Sequence, residues 1–207
     1  MQYNNITMVE KSDARERMVK AALDLLHLQG VNGTSIDQVL EKSRTGKSQF
    51  AHYFKTKDGL VHAVLQYLHA FIRSGQAPTG YNIESWEDME AWFGKYINFQ
   101  KGVDCERSCP LGTIGNDISN DQELLRQDVQ LFMEWSHGQL ARFFAERKAK
   151  GELAASTDSD ALADFCFVVM EGGLLVGKIK RDVAPFENAA AHALAYIRSL
   201  RLHPSKN

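Results

Sequence analysis

Apolar residues recur at three- and four-residue intervals along nearly every long segment of the chain, a spacing typical of amphipathic α-helices. Met18, Ala22, Leu25 and Leu26 share one helical face in a run that ends at Gly30. No segment alternates apolar and polar residues as a half-buried strand does, so the fold is predicted to be all-α. Further helices are predicted at about 35–42, 47–54, 58–73, 84–101, 110–118, 121–150 and 159–181, and from residue 185 onward.

The charge of the chain is small but unevenly distributed. The net charge of -2 over 207 residues excludes a uniformly basic nucleic-acid coat. Residues 1–60 contain 9 Lys/Arg and 7 Asp/Glu, whereas residues 61–207 contain 15 and 19. A basic N-terminal part followed by an acidic remainder favours an anionic partner for residues 1–60, although ordinary scatter of surface charge would give the same numbers.

The cysteine content and the hydropathy of the sequence indicate the cellular compartment in which the protein works. Three cysteines, Cys105, Cys109 and Cys166, are an odd number and suggest no disulfide framework, which is typical of a reducing cytoplasm. The first residues lack the apolar run of a signal peptide. No apolar stretch approaches the roughly 20 residues that span a bilayer. We therefore expect a cytoplasmic protein with no membrane association.

The triplet Gly46-Lys47-Ser48 resembles the end of a nucleotide-binding P-loop, but its context differs. A P-loop has a glycine five residues before the Gly-Lys pair and follows a buried strand, whereas this chain has Glu41 in a helical segment. The alternative is two short helices, at about 35–42 and 47–54, joined by a tight turn and braced by a helix at 14–30. This arrangement is typical of a helix-turn-helix that enters the major groove of DNA.

The residue types around this turn suit contact with a duplex. Side chains at the start of the second helix reach base edges first, and Gln49 can form a bidentate pair with adenine. The helix N-terminus at Thr34-Ser35 offers backbone N–H groups to a phosphate, and lysines flank the far end of the second helix. A three-helix bundle with a solvated lysine face is the other interpretation. The predicted DNA contacts are Thr34, Ser35, Lys47, Ser48, Gln49, His52, Lys55 and Lys57.

The helix-turn-helix segment resembles that of a known family. The stretch TSIDQVLEKSRTGKSQFAHYFKTKDGL is similar to the N-terminal DNA-binding domain of TetR-family transcriptional regulators. The resemblance is specific over about residues 13–65, and the rest of the chain matches in length and helical plan. The matching residues, in order, are Phe50, Tyr53, Phe54, Lys55, Thr56, Lys57, Asp58 and Leu60.

Two positions depart from the family pattern. Arg44 stands where the turn usually has glycine, so the turn glycine is expected to have shifted to Gly46. Ala51 replaces a tyrosine that contacts phosphate in the family. Tyr53 and Lys57 keep the other two family phosphate contacts, so Tyr53 joins the predicted DNA-binding residues.

The resemblance also implies a domain plan and a mode of action. Residues 1–58 would form the helix-turn-helix domain, with a linking helix at 58–73, and residues 74–207 would bind an effector and dimerise. The homodimer would bind a palindromic operator as a repressor that a small molecule releases. Small residues in the last two long helices suit a close interface between two copies or, alternatively, packing within one copy: Gly172, Gly173, Gly177, Ala189, Ala190, Ala191, Ala193 and Ala195.

The effector pocket is less sharply defined by the sequence. Helices at 84–101, 110–118 and 121–150 are rich in aromatic residues, which at helical spacing are typical of core as well as of a pocket. Our candidate pocket residues are Trp92, Tyr96, Trp135, His137 and Phe165.

The segment DCERSCPLG suggests a reactive thiol. Cys109 precedes Pro110 at a predicted helix N-terminus, which lowers the pKa of a thiol. TetR-family members that respond to reactive electrophiles have a similar segment paired with a lysine on the penultimate helix, where this chain has Lys178. The hypothesis is that Cys109 senses electrophiles with help from Lys178, and the rival interpretation is an inert packed cysteine.

No catalytic or cofactor motif accompanies these features. Cys105 and Cys109 lack a second ligand pair for zinc, and the chain has no metalloprotease, hydrolase or dinucleotide-binding motif. We therefore expect no enzyme activity, no metal and no cofactor. The alternative function is an all-α binding or scaffold protein without DNA recognition.

Overall fold

The computed structural model describes residues 13–202, which form nine α-helices and no β-strand. The first twelve residues of the predicted N-terminal domain and the last five of the C-terminal one lie outside this range. Within it, no helix is long and apolar enough to cross a membrane. The helices are α1 (Ala14–Gln29), α2 (Ile36–Ser43), α3 (Lys47–Tyr53), α4 (Lys57–Arg73), α5 (Trp86–Gly102), α6 (Pro110–Gly115), α7 (Glu123–Ala149), α8 (Ser159–Lys180) and α9 (Ala184–Ser199).

Helices α1, α2 and α3 enclose a small apolar core. The Ser35 hydroxyl accepts a hydrogen bond from the Gln38 backbone N–H at 3.2 Å, and the Gln38 side chain accepts one from the Ser35 N–H at 2.7 Å. This capping box fixes where α2 begins. The buried side chains that join the three helices include Met18, Ala22, Leu26, Val39, Leu40, Phe50 and Phe54.

The turn between α2 and α3 corrects one expectation. Arg44, at the end of α2, has φ 53° and ψ 51°, which is the left-handed conformation. Gly46 has φ -108° and ψ 159°, an extended conformation open to any residue. The turn therefore keeps its left-handed residue at the usual position and fills it with arginine, so the predicted shift of the turn glycine to Gly46 is wrong.

Small residues in α8 allow close packing within the subunit. A Cβ at Gly173 would lie 2.1 Å from the Phe186 ring of α9, and a Cβ at Gly177 would lie 2.5 Å from the Gln100 side chain of α5. Gly172 is different, because a Cβ there would meet no atom within 4 Å. Of the two roles suggested for these residues, Gly173 and Gly177 have the internal one, and Gly172 faces outward.

The N-terminal helices contact the rest of the chain at two places. Along α4, His62 Nδ1 lies 2.5 Å from Asp128 Oδ2 of α7. At the end of α1, the Arg107 guanidinium pairs with Asp24 at 2.6 Å, and His27 Nε2 lies 2.7 Å from the Ser108 carbonyl oxygen. The segment before and within α6 therefore joins α1 directly to the C-terminal helices.

A glycine lies at the second of these contacts, just after the end of α1. Gly30 has φ 75° and ψ 177°, a region of backbone conformation that is essentially restricted to glycine. A Cβ at this position would lie 2.3 Å from Asp117 Oδ2. The same carboxylate oxygen accepts a hydrogen bond from the Asn32 backbone N–H at 3.0 Å. The loop after α1 therefore lies against Asp117, and a side chain at residue 30 would strain the backbone and require this carboxylate to move.

Candidate nucleic-acid interface and ligand cavity

Helix α3 presents one polar face to solvent and anchors the opposite face in the core. Phe50 and Phe54 are buried, each about 6% exposed. Lys47, Ser48 and Gln49 at the start of the helix are exposed, and so is His52 one turn later. The structure therefore brings together, on the outer side of α3, the side chains that the sequence predicts to reach base edges. Contact of these residues with DNA stays a prediction.

Local interactions order this exposed face. Gln49 Oε1 accepts a hydrogen bond from the Gly46 backbone N–H at 3.0 Å, which caps α3. Lys47 Nζ lies 3.2 Å from Asp37 Oδ1, and both side chains are more than 70% exposed. The Tyr53 hydroxyl, at the end of the helix, lies 3.4 Å from Asp13 Oδ1. An ion pair this exposed is weak, so it holds the Lys47 side chain only loosely.

Two of the predicted phosphate contacts have internal partners. The buried Thr34 hydroxyl donates to the Gly30 carbonyl oxygen at 2.7 Å. Lys57 Nζ donates to the Val31 carbonyl oxygen at 2.5 Å, which ties the start of α4 to the loop after α1. Lys55 is exposed, with φ 63°. In this structure Thr34 and Lys57 therefore stabilise the loop that positions α2.

A cavity of about 200 Å³ lies where the N-terminal helices meet the C-terminal ones. Its wall is formed by α1, α4, residues 77–81, α5, the start of α6, α7 and α8. Most of this wall is apolar or aromatic, which is typical of a small-molecule site. The side chains in the wall that carry polar atoms are His27, Thr79, Tyr81, Tyr96, Cys109 and Glu171.

The structure divides the predicted pocket residues into three sets. Tyr96 and Cys109 line the cavity. Trp92 and Trp135 lie one layer behind it, because each ring packs against Tyr81 with centroids 5.7 and 5.4 Å apart. These two tryptophans shape the wall from behind, since Tyr81 itself lines the cavity.

The three remaining predicted residues lie away from this cavity. His137 packs at the α7–α8 contact, 3.2 Å from Asp164 Oδ1. Phe165 is 37% exposed and packs against Tyr196 on the outer side of α8 and α9. Lys178 borders a shallow surface groove beside Gly30 and Asp117. Spacing along a helix placed these residues near the right elements but did not give the face on which they lie.

The electrostatics of Cys109 contradict the predicted activation of its thiol. Burial raises the pKa of the Cys109 thiol well above its usual value, and the neighbouring Glu171 carboxyl raises it further. Hydrogen bonds from the Gly112 and Leu111 N–H groups lower that pKa, but by less. The group that faces the thiol is therefore an acid, and Lys178 does not take the predicted place beside it.

The sequence analysis missed most of the residues that line the cavity, among them the ionisable Glu171 and His27. Burial raises the pKa of the Glu171 carboxyl and lowers the pKa of the His27 imidazole. The signal for Glu171 was present, because it is the one charged residue in the run FCFVVMEGGLLVG at 165–177. His27 had no such signal, since it belongs to a helix assigned to the DNA-binding domain.

Comparisons with known proteins agree with this geometry. A family model described as bacterial regulatory proteins, tetR family, matches residues 18–64, and one described as a tetracyclin repressor-like C-terminal domain matches residues 86–193. The chain is 26% identical over 188 residues to the transcriptional regulator AcuR of Cereibacter sphaeroides, covering 86% of this chain and 83% of that one. It is 24% identical over 182 residues to the regulator LmrA of Bacillus subtilis, covering 84% and 90%.

Solved structures share the fold. A regulatory protein TetR from Rhodobacter sphaeroides superposes with a TM-score of 0.77 at 23% identity, covering 89% of this chain and 99% of the other. The reduced form of NemR from E. coli superposes with a TM-score of 0.74 at 21% identity, covering 93% and 100%. These matches confirm the predicted all-α fold with an N-terminal helix-turn-helix and a larger C-terminal helical domain.

Proposed function

Because the chain belongs to the tetR family of bacterial regulatory proteins, and is thus a DNA-binding transcriptional regulator rather than an enzyme, we propose that it is a homodimeric repressor. It binds a palindromic operator in the cytoplasm through residues 1–58 and is released by a small molecule held by residues 74–207. The observation that carries this proposal is the position of α3. Its polar face is exposed and its aromatic face is fixed in the core.

The exposed face of α3 supports reading of the major groove. Lys47, Ser48 and Gln49 occupy the first turn, where a recognition helix reaches base edges. The capping bond that Gln49 makes uses one lone pair of its amide oxygen, so the amide N–H groups and the second lone pair remain for adenine. Ser35 begins α2 at a point where phosphate would meet a helix N-terminus.

An exposed apolar stripe supports dimerisation through α8 and α9. Val168, Gly172, Leu175 and Ile179 follow one another at intervals of four, three and four residues, so they share one face of α8. The side chains of Val168 and Ile179 are 67% and 72% exposed. A contiguous exposed stripe of this kind is typical of a protein interface. Two copies packed through α8 and α9 would bury it in a four-helix bundle.

The cavity supports a direct route from ligand to DNA-binding helices. Leu23 and His27 of α1, together with Leu68 and Phe71 of α4, form part of its wall. A ligand that fits one arrangement of these two helices better than another shifts the population toward that arrangement. In a dimer this shift changes the separation of the two α3 helices, which must be roughly 34–36 Å to enter successive major-groove turns.

The DNA-binding part is tested by affinity for duplex DNA at two salt concentrations. Gln49→Ala should lower specific affinity by about 1–3 kcal/mol and relax preference at one base position. Gln49→Glu is the comparison variant, because its side chain keeps an oxygen that can accept from the Gly46 N–H but loses the amide donor. Lys47→Ala should reduce the salt dependence by about one ion, whereas Lys150→Ala, at the end of α7, should not. If the affinity for duplex DNA changes neither with salt nor with any of these substitutions, the protein is instead a scaffold protein without DNA recognition.

The dimer is tested by sedimentation equilibrium. The double substitution Val168→Asp and Ile179→Asp should convert a dimer to a monomer, because it buries charge in the proposed interface. Leu131→Asp is the matched control, since Leu131 is 59% exposed on α7, outside the stripe. A wild-type monomer, or a double variant that still dimerises, would contradict the proposed interface.

A further inference from the structure

One carboxyl group interrupts the apolar wall of the cavity. Glu171 lies on α8 between Met170 and Leu174, which line the same cavity. Its carboxyl group is hydrogen-bonded to the Cys109 side chain. Gly112 leaves room for this carboxyl, because a Cβ at that position would lie 3.2 Å from Glu171 Oε2. The backbone of α6 therefore approaches the acid closely without supplying a charge.

Among residues 13–202, Glu171 forms no ion pair. The cavity wall contains no lysine and no arginine. Its single imidazole, His27, has a pKa lowered mainly by burial, so this ring is neutral near pH 7. Burial without a cationic partner raises the pKa of the Glu171 carboxyl because its carboxylate form is costly, and an arriving cation relieves that cost.

The aromatic residues of the cavity wall also suit a cation. The rings of Tyr81, Tyr96, Phe99 and Phe132 line the cavity together with Glu171. Aromatic faces attract an ammonium group within about 6 Å, most strongly where water is excluded. The volume of about 200 Å³ is somewhat larger than a cavity of about 150 Å³ that accepts benzene. It therefore has room for one aromatic or branched apolar body with a short chain.

We propose that this cavity binds a small organic cation, an amine on a compact apolar body, whose ammonium group pairs with Glu171 inside the aromatic wall. This inference rests on the proposed function, because it names the chemical class of the molecule that releases DNA. An anion of the same shape is disfavoured, since no basic side chain in the wall attracts it and the carboxylate form of Glu171 would repel it.

The test compares three probes of similar shape and different charge: phenethylamine, phenethyl alcohol and phenylacetate. Their affinities for the full-length protein are measured by isothermal titration calorimetry at neutral pH. Phenethylamine should bind on the order of tenfold or more tightly than the alcohol, because a charge-assisted hydrogen bond replaces a neutral one, and phenylacetate should bind most weakly.

Two variants assign the preference to the carboxyl group. Glu171→Gln keeps the shape of the side chain and should make the amine and the alcohol bind equally. Glu146→Gln, at an exposed position on α7, should leave the preference intact. The comparison between probes in the wild-type protein does not depend on the folding of any variant. Equal binding of amine and alcohol, tighter binding of phenylacetate, or no binding of any probe would overturn the proposal.

A parallel measurement separates this inference from the proposed function. Fluorescence anisotropy with operator DNA reports DNA binding with and without each probe. DNA binding without any amine preference would overturn the ligand class and leave the repressor intact. An amine preference that depends on Glu171, in a protein that does not bind DNA, would support the cation site and refute the repressor.

Discussion

Replacing Gly173 by alanine should destabilise the protein, although alanine is the better helix former. Both Gly173→Ala and a control, Gly138→Ala, gain about 0.5–1 kcal/mol from helix propensity. In α7, a Cβ at Gly138 meets no atom within 4 Å. In α8, a Cβ at Gly173 would lie 2.1 Å from the ring of Phe186, which is 0% exposed. Overpacking of this kind costs about 1–3 kcal/mol of stability. Because the Phe186 ring has no free space into which it could move, we expect a cost at the upper end of that range.

The net effect of Gly173→Ala is therefore a loss of about 2 kcal/mol, whereas Gly138→Ala should gain up to about 1 kcal/mol. For a chain of this length the loss lowers Tm by roughly 4–8 °C. Differential scanning calorimetry at one protomer concentration measures both, because dimerisation makes Tm depend on concentration. If Gly173→Ala is as stable as the wild-type protein while Gly138→Ala shows its gain, the close α8–α9 packing is not as described.

Three further predictions concern local contacts. Ser35→Ala removes the acceptor for the Gln38 N–H and should cost about 0.5–2 kcal/mol in urea unfolding; no change would mean that the cap is not formed. Iodoacetamide should alkylate Cys109 more slowly than a free cysteine at neutral pH, with a rate that still rises above about pH 8.5, since its raised pKa leaves little thiolate; a plateau below that pH would contradict this. Arg107→Gln breaks the ion pair with Asp24 but leaves the one between Asp24 and Lys42, and should cost under about 1 kcal/mol of stability but weaken ligand-induced release of DNA, measured by anisotropy; unchanged release would remove this contact from the coupling route.

Local signals in the sequence were sufficient for the N-terminal helices. The capping bonds between Ser35 and Gln38 join residues three apart, so the start of α2 can be predicted from a short stretch of sequence. Gly30 ends α1 for the same reason. The turn after α2 was misread because the left-handed conformation of Arg44 costs only about 1–2 kcal/mol. Packing around a turn can offset a cost of that size, and sequence propensity does not contain that packing.

The cavity was predicted less well because periodicity does not say which face of a helix meets which neighbour. Phe165 and Glu171 are six residues apart, about 240° around α8, so one faces outward and the other faces the cavity. Lys178 is on nearly the same side as Glu171 but seven residues further along, about 10 Å at 1.5 Å per residue. Only the packing of α8 against α5, α7 and α9 decides between these positions.

Gly30 has a consequence for how the protein can vary. This residue lies against Asp117, where the N-terminal helices meet the C-terminal ones, and its φ of 75° with ψ of 177° suits glycine alone. A side chain at residue 30 would strain the backbone and would require the Asp117 carboxylate to move away. We expect such a variant to loosen this contact between the two parts of the subunit, and with it one link between ligand binding and the DNA-binding helices.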